Sequence, residues 1–341
     1  MNYLFSPFEL SSLQLKNRVV MPPMCQYSVV NKDGIANDWH YNHYVSRAVG
    51  GAGLIIIEMT DVDPDGRISD YDLGIWNDEQ IPALARIVDA VHAHGAKVGI
   101  QIAHAGRKAE DAAVPVAPSA IPFSSKSKTP RELTTDEVKG MVEKFRLGVK
   151  RAVQAGVDVI ELHGAHGYLI HQFHSPLTNR RTDEYGQDLT LFGKEVIVAA
   201  KGEMPEGMPL IMRISAKEYT DGGYDLPEAV EISRAYKEAG VDIFHVSSGG
   251  EGPVTAANAP GTQAAYQISL AREIKQKLQV PVIAVGKLDD PAVANAVVAN
   301  EDTDLVAVGR GMLKNPYWAL NAADSLKQEN SIPKQYAMGF R

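Results

Sequence analysis

Eight times along its 341 residues this chain repeats one pattern: a short β-rich apolar run, a loop, then a longer stretch of helical periodicity. The runs are Arg18–Met24, Gly53–Met59, Lys97–His104, Val157–His163, Pro209–Ala216, Val241–Ser248, Pro281–Lys287 and Asp304–Arg310. They are apolar throughout rather than at alternate positions, which marks strands covered on both faces, as in a parallel sheet. Eight such units with no break in the alternation predict an α/β fold, a closed (β/α)₈ barrel formed as one domain over residues 1–341. The other arrangement is an open doubly wound sheet. It would more often carry a G-x-G-x-x-G turn after an early strand, and the chain has none.

The segments between the runs carry helix punctuation. Residues 78–95 place Ile81, Leu84, Val88 and Val91 on one face, with Gly95 set to end the helix. Thr134 and Glu137 form a capping-box pattern before a helix with the stripe Val138, Met141, Val142, Phe145 and Val149. Ala-Gly-Val-Asp stands at 155–158 and again at 239–242, each time between a helix and a strand, so one turn is reused. Residues 105–130, rich in Pro, Ser and Lys, predict an extended loop over the catalytic face, in the place of a lid.

Composition removes several function classes. The single cysteine, Cys25, excludes an intrachain disulfide, a cysteine-ligated iron–sulfur cluster and a Cys-rich zinc site, and points to a reducing compartment. A net charge of −8 without a basic stripe argues against nucleic acid as a partner. The first residues hold no apolar signal segment, and no apolar run approaches the ~18 residues of a membrane span. The expectation is a cytoplasmic enzyme with a small-molecule substrate.

In a barrel the chemistry lies where the strands end. The polar residues there are Cys25, Tyr27, Glu58, Gln101, His104, Arg107, Lys108, His163, His166, Tyr168, Arg213, Ser247, Ser248 and Arg310. Arg213, inside Leu-Ile-Met-Arg-Ile-Ser, is costly to bury without an anionic or strongly polar partner. It either pairs internally with Glu58 or Glu161, or meets a ligand. Gln101 either satisfies backbone groups or does the same. Val-Gly-Lys at 285–287 and Val-Gly-Arg-Gly at 308–311 are either ordinary tight turns or a phosphate cradle of Gly286, Gly309 and Arg310.

His163-Gly-Ala-His-Gly-Tyr168 reads in two ways. With His171 and His174 close behind it could ligate a metal, but strands 1 and 5 supply no further ligands, so the expectation is no metal. Alternatively, two imidazoles grip a carbonyl oxygen while Tyr168 gives a proton, as reduction of an activated C=C requires. None of these groups supplies a hydride, so a redox cofactor must, and a phosphate site without a nucleotide fingerprint favours FMN.

The chain resembles the old yellow enzyme family of FMN-dependent ene-reductases, in its cysteine-bearing "thermophilic-like" bacterial subclass. The likeness runs almost end to end. It is carried by Leu-Lys-Asn-Arg-Val-Val-Met (15–21), Pro-Met-Cys-Gln-Tyr (23–27), Gln-Ile-Ala-His-Ala-Gly-Arg-Lys (101–108), His-Gly-Ala-His-Gly-Tyr (163–168), Ser-Pro-Leu-Thr-Asn-Arg-Arg-Thr-Asp-Glu-Tyr-Gly (175–186) and Val-Gly-Arg (308–310). The resemblance implies an NADPH- or NADH-dependent reductase of α,β-unsaturated aldehydes and ketones. Hydride would pass from flavin N5 to Cβ, with Tyr168 protonating Cα. It implies that Pro23, Met24, Cys25 and Met59 line the flavin, that Gln101 and Arg213 hold its pyrimidine side, and that Gly286, Gly309 and Arg310 take the phosphate. His163 and His166 would bind the substrate carbonyl, Tyr27 would line the pocket, and Cys25 would tune the flavin. A homodimer or homotetramer is implied as well. Without the resemblance, a metal-dependent hydrolase or a flavoprotein amine dehydrogenase or demethylase remains open.

Four positions depart from the family pattern. Pro22 stands where Ser is usual, and Met59 where a small residue is usual. Residues 187–192 are one shorter than the family's Gly-Ser-x-x-Asn-Arg stretch, which bears on the packing of the following helix. Met338 replaces an arginine that reaches a neighbouring subunit's site, with Arg341 as a candidate substitute.

Overall fold

The computed structural model describes residues 3–254 and 259–340. Eight strands form its centre: β1 (Val19–Met21), β2 (Leu54–Asp61), β3 (Lys97–Ala103), β4 (Val159–Gly164), β5 (Leu210–Ser215), β6 (Ile243–Ser247), β7 (Val282–Ala284) and β8 (Leu305–Ala307). Each pairs in parallel with the next, and β8 pairs with β1, so the sheet closes. The main helices between and after the strands are α1 (Asp38–Val49), α2 (Ile81–Ala93), α3 (Thr135–Gln154), α4 (Leu191–Glu203), α5 (Leu226–Ala239), α6 (Ile268–Leu278), α7 (Pro291–Ala299) and α8 (Trp318–Leu326). This is the (β/α)₈ barrel that the eightfold alternation predicts.

Several strands are shorter than the apolar runs, for local reasons. Pro22 and Pro23 lack the N–H a ladder needs, so β1 stops at Met21. β7 ends before Gly286, whose φ of 124° leaves the extended region. β8 ends at Ala307, and Arg310 already opens a short helix to Lys314. Pro82 sits in the first turn of α2, where its missing N–H costs nothing. The Thr134–Glu137 capping box forms, and Val138, Met141, Phe145 and Val149 are buried beneath α3.

The repeated Ala-Gly-Val-Asp turn has a defined task at the closed end. Asp158 accepts a hydrogen bond from the Val98 N–H at 2.8 Å, and Asp242 does the same from the Leu210 N–H at 2.8 Å. Asp304, in a different local sequence, accepts from the Val282 N–H at 2.9 Å. Each carboxylate satisfies a donor at the start of the preceding strand, and a lysine (Lys97, Lys201, Lys275) pairs with it. Asp158→Ala leaves the Val98 donor without a partner in a part-buried site. It is expected to cost about 1–3 kcal/mol in denaturant unfolding while leaving a bound chromophore's spectrum unchanged. An unchanged midpoint would show that the clasp contributes nothing.

Below the site the barrel is apolar. Val20, Leu54, Ile56, Val159, Ile211, Ile243, Ile283 and Leu305 form one buried cluster with Phe8, Leu13 and Leu15 of the N-terminal hairpin. The hairpin thus plugs the floor, and ligands can enter only from the other end.

Candidate active site

Side chains two apart on a strand share a face. Val159, Ile211 and Ile243 fill the floor, so Glu161 and His163, Arg213 and Ser215, and His245 and Ser247 stack above them. Gln101 Nε2 donates to Glu161 Oε1 at 2.7 Å, and His245 Nδ1 lies 2.8 Å from Glu161 Oε2. These bonds span β3, β4 and β6 and form a buried polar layer. Arg213 is not part of the pairing. Glu161 raises its pKa only through space, and Glu58 is turned away, so neither internal ion pair forms. Among the described residues the Arg213 side chain makes no hydrogen bond or ion pair, and its Nε is buried without a partner. Burial, opposed by Glu161, lowers the Arg213 pKa. A cation left this way above a polar floor needs a polar ligand.

One layer higher, three side chains from the end of β4 and the loop after it converge. The His163 ring lies 5.3 Å from that of His166 and 4.7 Å from that of Tyr168, both edge to face. Ala165 N–H points at His163 Nδ1 at 3.3 Å, which leaves the ring proton on Nε2. His166 Nε2 is 2.7 Å from Ser247 Oγ, and its backbone N–H donates to Ser215 Oγ at 3.0 Å. Burial, then the Arg213 charge, holds both imidazoles well below the usual histidine range, so both are neutral. Burial also raises the Tyr168 phenol, which keeps its proton. His166 is held at φ 58° and Gly167 at φ 73°, a left-handed pair that turns the chain back over the site.

That turn is clamped from behind. Lys108 Nζ donates to His166 O at 2.6 Å and to Gly250 O at 2.5 Å, tying the β4 and β6 loops together. Gly167 and Gly250 meet so closely that a Cβ on Gly250 would lie 2.5 Å from His166 Cα. Arg107 pairs with the buried Glu251 at 2.9 Å. Gly167 N–H donates to His171 Nδ1 at 3.0 Å, and His171 Nε2 donates to Glu218 Oε1 at 2.9 Å. Burial pushes the Glu251 carboxyl up, against the pull of the paired Arg107, and drops His171 to about 3.

Cys25 and Tyr168 pack against Met59, Ile68, Ala103 and Ala105. Burial raises the Cys25 thiol well above its usual range, so it is protonated. Tyr27, at φ 50°, is half exposed at the rim beside Cys25. The loop carrying both is held by Glu58, whose Oε1 accepts from Gln26 N–H at 2.8 Å and whose Oε2 accepts from Tyr44 Oη at 2.6 Å. A bulge between Ile57 and Met59 lets Glu58 face α1 while Met59 faces Cys25. Glu58 is therefore a prop for the site rather than a member of it.

The chain matches the model of the NADH:flavin oxidoreductase / NADH oxidase family over residues 3–329. It belongs to this family. It is 49% identical over all of its length and all of the relative's to an NADPH dehydrogenase of Listeria monocytogenes serotype 4a (strain HCC23). An NADPH dehydrogenase of Geobacillus thermodenitrificans (strain NG80-2) is 47% identical, with 99% of this chain and 98% of the relative covered. Among solved structures it is similar to morphinone reductase, at 29% identity and a TM-score of 0.82 over 98% of this chain and 92% of that one.

As a member of the NADH:flavin oxidoreductase family the protein is an oxidoreductase using FMN, with NAD(P)H as reductant, and the metal-hydrolase alternative falls away. The residues present fit that cofactor. The Arg213 side chain stands unpartnered near Glu161, which Gln101 holds. Arg310 is exposed, makes no hydrogen bond or ion pair among the described residues, and follows Gly309, whose absent side chain leaves the approach open. A Cβ at Gly286 would lie 2.8 Å from Gln267 Nε2. His171, Glu218 and Glu251 do form a buried group of metal-ligand types. However, both imidazole nitrogens are already hydrogen-bonded and Glu251 Oε1 is already paired with Arg107.

Of the four departures, Pro22 packs within reach of Gly309, and Met59 is fully buried. The shortened 187–192 stretch is stitched by Asp188, which accepts from Thr190 and Lys194, and α4 packs normally over Phe192. Met338 is exposed, and Arg341 lies outside the described residues. Sequence reasoning did not assign Ser215, Glu218, His245 or Glu251. Strand parity finds Ser215 and His245, two residues from Arg213 and Ser247, but no local signal marks the loop carboxylates.

Proposed function

We propose that the protein is an ene-reductase that reduces the C=C bond of α,β-unsaturated aldehydes and ketones. The observation that carries this reading is the convergence of two neutral imidazoles with a protonated phenol within 5.3 Å of ring separation. Neutral His163 and His166 donate to a carbonyl oxygen without placing a full positive charge there. That suits an oxygen gaining negative charge as hydride arrives at Cβ. Tyr168, on the same loop, delivers the proton to Cα. Bound FMN supplies the hydride. Gln101 and Arg213 hold the flavin's pyrimidine side, and the Arg213 charge favours its reduced, anionic form. Pro23, Met24 and Met59 line the ring, Gly286, Gly309 and Arg310 take the phosphate, and Cys25 and Tyr27 shape the pocket between cofactor and substrate. The catalytic unit is one barrel domain in a cytoplasmic homodimer or homotetramer. The lone cysteine supports the reducing compartment.

The deciding experiment is the visible spectrum of the purified protein, taken anaerobically with NADPH and then cyclohexenone. A flavin band that bleaches with NADPH and returns with the enone supports the cycle. A reduced protein that the enone leaves bleached sinks the ene-reductase reading.

A further inference from the structure

The loop after β3 and the barrel mouth enclose a cavity of about 580 Å³. It runs from Tyr27 and Tyr168, past Lys108, to Phe123, Lys126 and Lys128 on the loop. Its charges are uneven: Arg107, Lys108, Lys126 and Lys128 face one carboxylate, Glu110. Arg107 is paired with Glu251 at 2.9 Å. Lys108 and Lys128 donate only to backbone carbonyls, Lys128 to those of Glu110 and Ala112 at 2.8 and 2.7 Å. Those bonds position the charges without cancelling them. Lys108 lies 5.3 Å from the Tyr168 ring centroid and 4.1 Å from that of Phe123, so it stands between the phenol and the loop aromatic, and Lys126 and Lys128 line the same cavity. Lys126 is exposed, and its side chain makes no hydrogen bond or ion pair among the described residues. In a chain of net charge −8, a local cluster of this sign marks where a polyanion can approach.

We propose that this cavity receives the phosphate-bearing arm of NADPH, with Lys126 meeting the 2′-phosphate that NADH lacks. The inference rests on the reading of the same site as NAD(P)H-dependent. Reductant and enone use that site in turn, so the nicotinamide lies against Tyr27 and Tyr168. The pyrophosphate then falls beside Lys108 and Phe123. The adenosine ribose, with its 2′-phosphate, comes last, where Lys126 and Lys128 stand. Lysine binds phosphate as a point charge, so the contact is strong at low salt and screened at high salt.

The test is stopped-flow reduction of the FMN-loaded enzyme by NADPH and by NADH, in the wild type, Lys126→Gln and Lys150→Gln. Lys150 is exposed on α3, does not line the cavity, and controls for bulk charge. Lys126→Gln is expected to raise the Kd for NADPH about three- to tenfold at low ionic strength and that for NADH by less than about twofold. The limiting reduction rate should stay unchanged, and the NADPH effect should shrink with salt. Equal weakening of both nucleotides, an equal effect from Lys150→Gln, or no effect at all overturns the assignment. A wild type that neither nucleotide reduces would overturn the NAD(P)H reading beneath it as well.

Discussion

Tyr168→Phe is expected to slow enone reduction by about 10²–10⁴-fold, the usual contribution of a positioned general acid. Bleaching of the flavin by NADPH should stay within about twofold of the wild type. The split follows from what the phenol touches. Its ring packs edge to face on His163 at 4.7 Å, and burial keeps its hydroxyl protonated and ready to donate. The same ring also lies against Met59, Ala103 and Ala105, and Phe preserves those contacts, so the pocket keeps its shape. Flavin reduction requires no proton from this position. Stopped-flow traces of the two half-reactions separate the cases. Unchanged reoxidation by cyclohexenone would remove Tyr168 as the acid, and equal slowing of both halves would mean that the substitution had disturbed the pocket.

The parts of this protein that a sequence reveals are those set by local periodicity. Eight apolar runs with intervening helical stripes suffice for a closed barrel, and the strand ends then collect Cys25, Gln101, His163, His166, Tyr168 and Arg213 at one mouth. What stays hidden is pairing between segments distant in the chain. Arg213 shows the difference. Its sequence context leaves an internal ion pair open, and only the fold reveals that Glu161 is bound to Gln101 and His245 while Glu58 faces Tyr44. The bulge at Ile57–Met59 that reverses Glu58 has no sequence signature, because both neighbours are apolar. Glu251 is likewise an ordinary loop residue in the sequence. It becomes a buried partner of Arg107 only because the β6 loop folds onto the turn at Gly167.

His163→Ala tests the other half of the carbonyl clamp. The variant is expected to weaken phenolic ligands and raise KM for cyclohexenone, and to lower kcat/KM by about 10²–10³-fold, as loss of one oxyanion donor does elsewhere. His166 supplies only its own donor to the clamp, through Nδ1, because its Nε2 faces Ser247 Oγ at 2.7 Å. The pH dependence supplies a second check. Burial and Arg213 hold both imidazoles well below 6.5. Because these pKa values are depressed, the neutral donors persist as pH falls and are lost only below their lowered pKa. In the wild type KM for the neutral enone should therefore stay flat between about pH 7 and 6, where an ordinary histidine would protonate. A rise in KM across that interval would mean that one imidazole is far more accessible to water than its packing against Tyr168 and Arg213 requires. The carbonyl would then be held by a charged donor, and transition-state stabilisation would have to be assigned to the imidazolium rather than to two neutral N–H groups.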